Sequence, residues 1–221
     1  MSWFKTKAFW NNSENVNYFS QKPADPKIVK RLEILMSIPA STGNKSLSAL
    51  DLGCGGGRHA EMLVKMGFKT SVIDLNQEML RTTVRRVGKI NLCSIRRGSI
   101  VKLPYKNETF DVIVTTGVLH QTKNIYEYQV AVKEISRVLK PGGLVCLNVF
   151  TSRILDDTCT LLADAFAYQT KEGLDMTLLS KTTFYELMAW YGLTLEDELG
   201  EDVVQENTGR RSVLRCNFIK I

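Results

Sequence analysis

From Leu47 onward, short apolar runs of strand length alternate with amphipathic helical stretches, and this alternation constrains the chain more than any other feature. The runs SLSALDL, KTSVIDL, NLCSIRR, FDVIVTTGVL and GLVCLNVF read as strands, and HAEMLVKMGF, NQEMLRTTVRRV and YEYQVAVKEISRVLK as helices. Strands that alternate with helices pair in parallel, because a parallel neighbour needs a crossover, and the helices then cover both faces of the sheet. The rhythm breaks near the end, where LTLEDE and SVLRCNFIKI follow one another with only a polar loop between them. Two such strands pair antiparallel. The expected fold is therefore α/β: a doubly wound, seven-stranded, mostly parallel sheet ending in an antiparallel hairpin, in three layers.

Local signals set the boundaries. Pro26 behind Asp25 suits a first helical turn, and Ile28, Leu32 and Leu35 follow at helical spacing, with Ile38 beyond. Residues 41–44 read as a loop. Asn76 is an N-cap with Glu78 in the first turn, Gly67 closes one helix, and Pro141-Gly142-Gly143 stops another. A helical stretch is expected over about 156–169, and Ser180 should cap the helix KTTFYELMAWYG. The stripe Phe184, Leu187, Met188 reads as core. The chain divides into an N-terminal helical segment, 1–44, and an α/β domain, 45–221, forming one domain overall.

Composition bounds the classes of function. The 221 residues are 44% hydrophobic and 24% charged, ordinary for a single globular domain. No apolar run approaches the ~20 residues that span a bilayer. The start, MSWFKTKAFWNNSENVNYF, has no apolar stretch behind its lysines, so no secretory signal and a cytoplasmic location are expected. Cys54, Cys93, Cys146, Cys159 and Cys216 are odd in number and scattered, with no C-x-x-C pair, and there are only two histidines. That speaks against a disulfide framework and against a metal site. The net charge of +6 permits an anionic partner without requiring one. Arginines and lysines gather at 81–97, with Arg210, Arg211 and Arg215 near the end; solvated faces explain such runs more simply than nucleic acid does.

Two features carry chemistry. Leu50-Asp51-Leu52-Gly53-Cys54-Gly55-Gly56-Gly57-Arg58 joins the first strand to its helix. Glycine is needed where backbone turns sharply and approaches a ligand, and the helix behind presents free N–H groups to an anion. In Val72-Ile73-Asp74-Leu75, an acidic residue ends the second strand, 21 positions after Gly53, where it can accept hydrogen bonds from both ribose hydroxyls of a nucleoside. These also fit an NAD enzyme: counted from Gly55, a dinucleotide register runs Gly55, Gly57, Ala60.

Four segments in order distinguish the two readings. LDLGCGGGR, VIDLNQEML, GSIVKLPYKNETFDVIVTTGVLHQ and EISRVLKPGGLVCLNVF resemble the motifs of the class I, Rossmann-like S-adenosylmethionine-dependent methyltransferases, in the group that includes ubiquinone-biosynthesis-type enzymes. The resemblance covers roughly residues 47–150. It implies S-adenosyl-L-methionine as donor and S-adenosyl-L-homocysteine as product. It places the backbone of Gly53, Cys54, Gly55 and Gly57 along the methionine moiety and Asp51 toward its ammonium. Asp74 falls on the ribose, Leu75 on the adenine face, Ser99 and Ile100 on the adenine edge, and Thr116 and Gly117 beneath the sulfonium. Where the family often has Gly-Asp-Ala, this chain has Gly98-Ser99-Ile100.

On the acceptor side, His120 has the intrinsic pKa of a general base, and the alternative is that it only shapes the pocket. His59 reads as structural or donor-adjacent. Tyr18 and Phe19, with Trp10 behind them, are candidates for a lid, and Asn148, Phe150 and Arg153 for the acceptor wall, with Tyr168, Tyr185 and Trp190 further on. The expected function is methyl transfer to an oxygen or nitrogen of a small molecule or peptide. The alternatives are an RNA (tRNA) methyltransferase, an NAD-dependent oxidoreductase, and a non-catalytic donor-binding partner subunit.

Overall fold

The computed structural model describes residues 9–10, 12–37, 46–206 and 208–221. Trp3, Phe4, Ile38 and the 41–44 loop lie outside them. The central sheet holds β1 (Ser48–Leu52), β2 (Lys69–Asp74), β3 (Ser94–Arg97), β4 (Phe110–Thr116), β5 (Leu139–Thr151), β9 (Leu193–Glu206) and β10 (Gly209–Lys220). Their order is β3-β2-β1-β4-β5-β10-β9. The first five strands pair in parallel, while β10 runs antiparallel to both β5 and β9. Strand order reverses at β1, which has β2 on one side and β4 on the other. The crevice beyond the carboxyl ends of β1 and β4 is thus the switch point where α/β sheets bind ligands.

Helices α1 (Ser13–Gln21), α2 (Pro26–Ser37), α3 (Arg58–Lys65), α4 (Gln77–Val87), α5 (Ile125–Val138) and α6 (Lys181–Trp190) flank the sheet. Successive strand residues point to opposite faces and so build two cores. Ala49, Val112, Val114 and Cys146 face Ile28 and Leu32 of α2 and Leu63 of α3. Leu50, Ile113, Val145 and Leu147 face Tyr128 and Ile135 of α5 and Phe184 and Met188 of α6. The expected caps are present: Asn76 Oδ1 accepts the N–H of Glu78 and Met79, and Ser180 Oγ accepts that of Thr183; Asp25 Oδ1 also accepts the Lys27 N–H at the start of α2. Gly67, at φ +87°, follows α3.

The structure corrects three expectations. The 156–169 stretch is not helical: β6 (Cys159–Leu161), β7 (Ala167–Thr170) and β8 (Asp175–Thr177) form a separate antiparallel sheet, inserted between β5 and α6. Asp156 Oδ1 takes the Thr158 N–H, a local turn that competes with helix, and Phe166 holds a left-handed φ of +63°. The terminal hairpin is longer than expected, with most of the supposed polar loop paired as ladder. Helix α5 ends at Val138, before Pro141-Gly142-Gly143, which lies at the head of β5.

Candidate active site

A cavity of about 1010 Å³ opens at the carboxyl ends of β1, β2 and β4, roofed by the N-terminal segment and the β9–β10 hairpin. Its floor is the glycine turn. Gly53 and Cys54 donate their N–H groups to Ile73 O (2.9 and 3.1 Å), which ties the turn to β2. Gly55 and Gly117 both have positive φ, and a Cβ on either would project into open space. Thr83, fully buried on α4, donates from Oγ1 to Gly55 O at 2.7 Å and fixes the turn from behind.

Asp74 ends β2 beside this turn. Its Oδ2 accepts the Gly55 N–H at 2.9 Å and its Oδ1 the Asn76 N–H at 2.8 Å, leaving one lone pair on each oxygen for a ligand. Burial raises its pKa above the usual carboxylate value, against these backbone donors. Opposite, Asn148 Oδ1 accepts the Gly117 N–H at 2.8 Å and shapes the turn after β4.

Gly53, Cys54, Gly55, Asp74, Leu75, Ser99, Ile100, Thr116, Gly117, His120, Trp10, Phe19, Asn148 and Phe150 all line this one cavity. Asp51, Gly57, Tyr18 and Arg153 do not. Asp51 is buried behind the turn, where its Oδ2 accepts the Ala60 N–H of α3 at 2.8 Å, and burial pushes its pKa up to about 7. Gly57 begins α3 at φ +81°, against Thr83. Tyr18 points outward, edge-on to Phe19 and beneath the Lys22 ammonium. Arg153 is exposed and reaches Glu201 O rather than the wall. Of the aromatics placed further on, Phe184 is core, Trp190 is solvent-exposed, Tyr185 donates to Glu198, and Tyr168 is not on the wall.

His120 is enclosed and held by the backbone of β5. It is 2% exposed, its Nδ1 accepts the Phe150 N–H at 3.1 Å, and its ring stacks on Phe150. Burial, with the nearby Arg211 charge, lowers its pKa to about 3. The neutral ring therefore carries its proton on Nε2 and presents a hydrogen-bond donor. His59 is likewise neutral, its pKa lowered to about 3 by burial; Nε2 accepts the Asp25 N–H at 3.1 Å and Nδ1 lies 3.4 Å from Thr116 Oγ1.

Most charges on the wall cancel in pairs: Lys22 with Glu206 (2.9 Å), Arg215 with Asp25 (2.8 Å), Lys123 with Glu127 (3.5 Å), and Arg81 with Glu78. The first two bolt the N-terminal segment to the hairpin. Among the described residues Arg58, Arg97, Asp74 and Asp175 have no oppositely charged partner within 4.0 Å. Arg58 donates instead to Pro23 O and Thr116 Oγ1, both at 3.2 Å. It stood inside the glycine motif, but only the fold shows it turning back over the cavity. Of the hairpin arginines, Arg211 is 1% exposed and bridged to Asp156, Arg215 is paired as above, and Arg210 is exposed. In the 81–97 stretch, Arg86 pairs with Glu61 as well. Among the described residues no group of three or more His, Cys, Asp or Glu is arranged to hold a metal ion, and no helix is long and apolar enough to cross a membrane.

Residues 50–147 match the methyltransferase domain family. That segment coincides with the one whose motifs resemble the class I S-adenosylmethionine-dependent methyltransferases. It is 36% identical over 108 residues to a demethylmenaquinone methyltransferase of Staphylococcus aureus, 47% of this chain and 44% of that protein. It is 36% identical over 112 residues to an uncharacterised methyltransferase of Schizosaccharomyces pombe, 44% of this chain and 37% of that protein. The chain thus spans less than half the length of either relative. In fold it is similar to a 1,6-didemethyltoxoflavin-N1-methyltransferase of Burkholderia thailandensis, solved with 1,6-didemethyltoxoflavin and S-adenosylhomocysteine. That likeness has a TM-score of 0.69 at 17% identity, over 98% of this chain and 87% of the other. A protein of Pyrococcus horikoshii gives a TM-score of 0.66 at 19% identity, over 91% and 93%.

Proposed function

We propose that the protein transfers a methyl group from S-adenosylmethionine to an oxygen or nitrogen of a small molecule. The observation that carries this reading is the single cavity joining the glycine turn, the β2 carboxylate Asp74 and the apolar Phe150 end. The residues present suit the donor. Gly55 and Gly117 leave room where any other residue would fill the cradle, and Asp74 keeps a lone pair on each oxygen for the two ribose hydroxyls. Ser99, Ile100 and Leu75 border the adenine side. Arg58, which lacks an acidic partner, suits the donor's carboxylate beside the N-terminus of α3. Asp51 serves the same site indirectly, by holding that helix end in place.

When bound, the donor supplies a methyl carbon already activated by the sulfonium. The protein's work is then alignment and exclusion of water. Asn148 fixes the Gly117 turn beneath the reacting centre, Trp10 and Phe19 roof the donor side, and the paired Lys22–Glu206 and Arg215–Asp25 bridges hold that roof down. His120 contributes an N–H donor to the acceptor end. The segment 1–44, so far as it is described, acts as a lid on the domain 45–221.

A small-molecule acceptor is favoured because the cavity is roofed and Phe150, Met176 and Val213 give it apolar flanks. The names of the Staphylococcus and Burkholderia relatives agree with it. The test is transfer itself: the protein is incubated with methyl-labelled donor and separated small-molecule, protein and RNA fractions of a cell extract. Label in the small-molecule fraction, with matching S-adenosylhomocysteine, supports the reading. Label in RNA or protein alone rejects the acceptor class, and donor binding without transfer to any fraction favours a non-catalytic partner subunit.

A further inference from the structure

We propose that Asp175 reads the methyl acceptor, taking an amine or other cationic, hydrogen-bond-donating nitrogen at the end of the cavity formed by the inserted sheet. The proposal rests on the donor-site reading above and deepens it.

Charge accounting leads to this residue. Once the four ion pairs of the wall are set aside, two acidic side chains on it remain without a cation among the described residues: Asp74 and Asp175. Asp74 belongs to the glycine turn. Asp175 is outside that turn, at the turn end of the β7–β8 hairpin, between Leu174 and Met176, which also line the cavity. It is 9% exposed. An anion so enclosed is costly unless something compensates it. The protein offers one neutral donor: Gln169, directly across the ladder, gives its Nε2–H to Asp175 Oδ1 at 2.9 Å. Among the described residues Oδ2 accepts no hydrogen bond from the protein, and Asp175 lines the cavity.

The inserted sheet holds the carboxylate rigidly against the rest of the site. Thr177 Oγ1, two residues on, donates to Thr122 O at 2.9 Å, joining β8 to the turn that carries His120. Ser152 N–H donates to Leu179 O at 3.0 Å, tying the segment after β8 to the end of β5. The acceptor end therefore presents an unpaired carboxylate, a neutral N–H donor from His120, and apolar flanks from Phe150, Met176 and Val213. That combination suits an apolar body bearing a basic nitrogen. It disfavours an acid, whose carboxylate would meet Asp175 with no cation between them.

The test uses the full chain saturated with S-adenosylhomocysteine and three matched probes, 2-phenylethylamine, 2-phenylethanol and 3-phenylpropanoate, with binding followed by ligand-observed NMR. The amine is expected to bind at least tenfold more tightly than the alcohol, with the carboxylate weakest. Asp175→Asn should abolish the amine's advantage while S-adenosylhomocysteine affinity stays at the wild-type value. A wild-type protein that does not prefer the amine, including one that binds none of the three up to their solubility, overturns the proposal even if the variant fails to fold. So does an Asp175→Asn protein that keeps the preference. Failure of the wild type to bind S-adenosylhomocysteine, seen before any probe is added, overturns the donor reading instead.

Discussion

His120 and Phe150 form one unit: the Phe150 N–H donates to His120 Nδ1 at 3.1 Å, and the two rings stack with centroids 3.9 Å apart at 12°. The backbone of β5 thereby fixes the tautomer of a side chain on the turn after β4. The expected outcome is a neutral Nε2–H imidazole across the whole range in which an ordinary histidine titrates. Nitrogen-15 NMR of the ring reports this directly, and protonation near 6.5 would contradict it.

The same burial links His120 to stability. Its native pKa of about 3 lies below the ordinary 6.5, so the unfolded chain binds a proton that the native state refuses. The contribution is complete above pH 6.5 and is lost as pH falls toward 3. His59 acts in the same direction. Asp51, raised from 3.8 to about 7, acts oppositely, giving stability at low pH that is lost as pH rises through that window. Replacing His120 by Gln should flatten the acid limb of urea-unfolding stability by about 1.4 kcal/mol per pH unit between roughly pH 4 and 6.5. An unchanged slope would mean that the ring is solvated.

Asp74 supports two backbone donors and keeps a lone pair on each oxygen. Losing two charge-assisted hydrogen bonds to ribose, at about 1.5 kcal/mol each, should weaken S-adenosylhomocysteine binding about a hundredfold in Asp74→Ala. The Gly55 N–H is also orphaned, so the melting temperature should fall. Calorimetry and thermal melting on the same sample separate the two effects.

Arg215 and Asp25 are 18% and 10% exposed at the side chain, and Arg215 also reaches Asp202 at 2.9 Å. Arg215→Ala leaves Asp25 enclosed without its cation. A loss of about 2–3 kcal/mol in urea unfolding is expected, less than for a fully buried pair because water still reaches both groups. Limited proteolysis should then cut first in the N-terminal segment.

Phe184 is 1% exposed and meets Tyr128, Tyr185 and Phe218 edge-on or tilted. Phe184→Ala should cost about 3–5 kcal/mol with no change in donor affinity, since the ring lies in the core and does not line the cavity. A selective loss of donor binding would contradict its assignment to the core.

Sequence reading recovered the elements whose hydrophobic period is local and whose ends are capped by side chains, such as Asn76 and Ser180. It failed between 156 and 169, where Leu161, Leu162 and Phe166 mimic helical spacing. There the outcome is decided by an Asx turn at Asp156 and by strand pairing within the inserted sheet, such as Ala167 with Thr177 of β8. Motif spacing picked out residues that the fold gathers around one cavity, because they sit at strand ends along the chain. Arg58, Thr83 and Asp175 act through contacts that only the fold creates. His120 was visible as a histidine but not as a donor, since its tautomer depends on the Phe150 N–H from another strand.

The most direct test of the account is calorimetric titration of the protein with S-adenosylmethionine, S-adenosylhomocysteine and NAD in parallel. Binding of the first two with no heat from NAD is the predicted result. Binding of NAD alone would mean that the Gly55-Gly57-Ala60 register governs the turn, and would contradict the assignment of this cavity to a methyl donor.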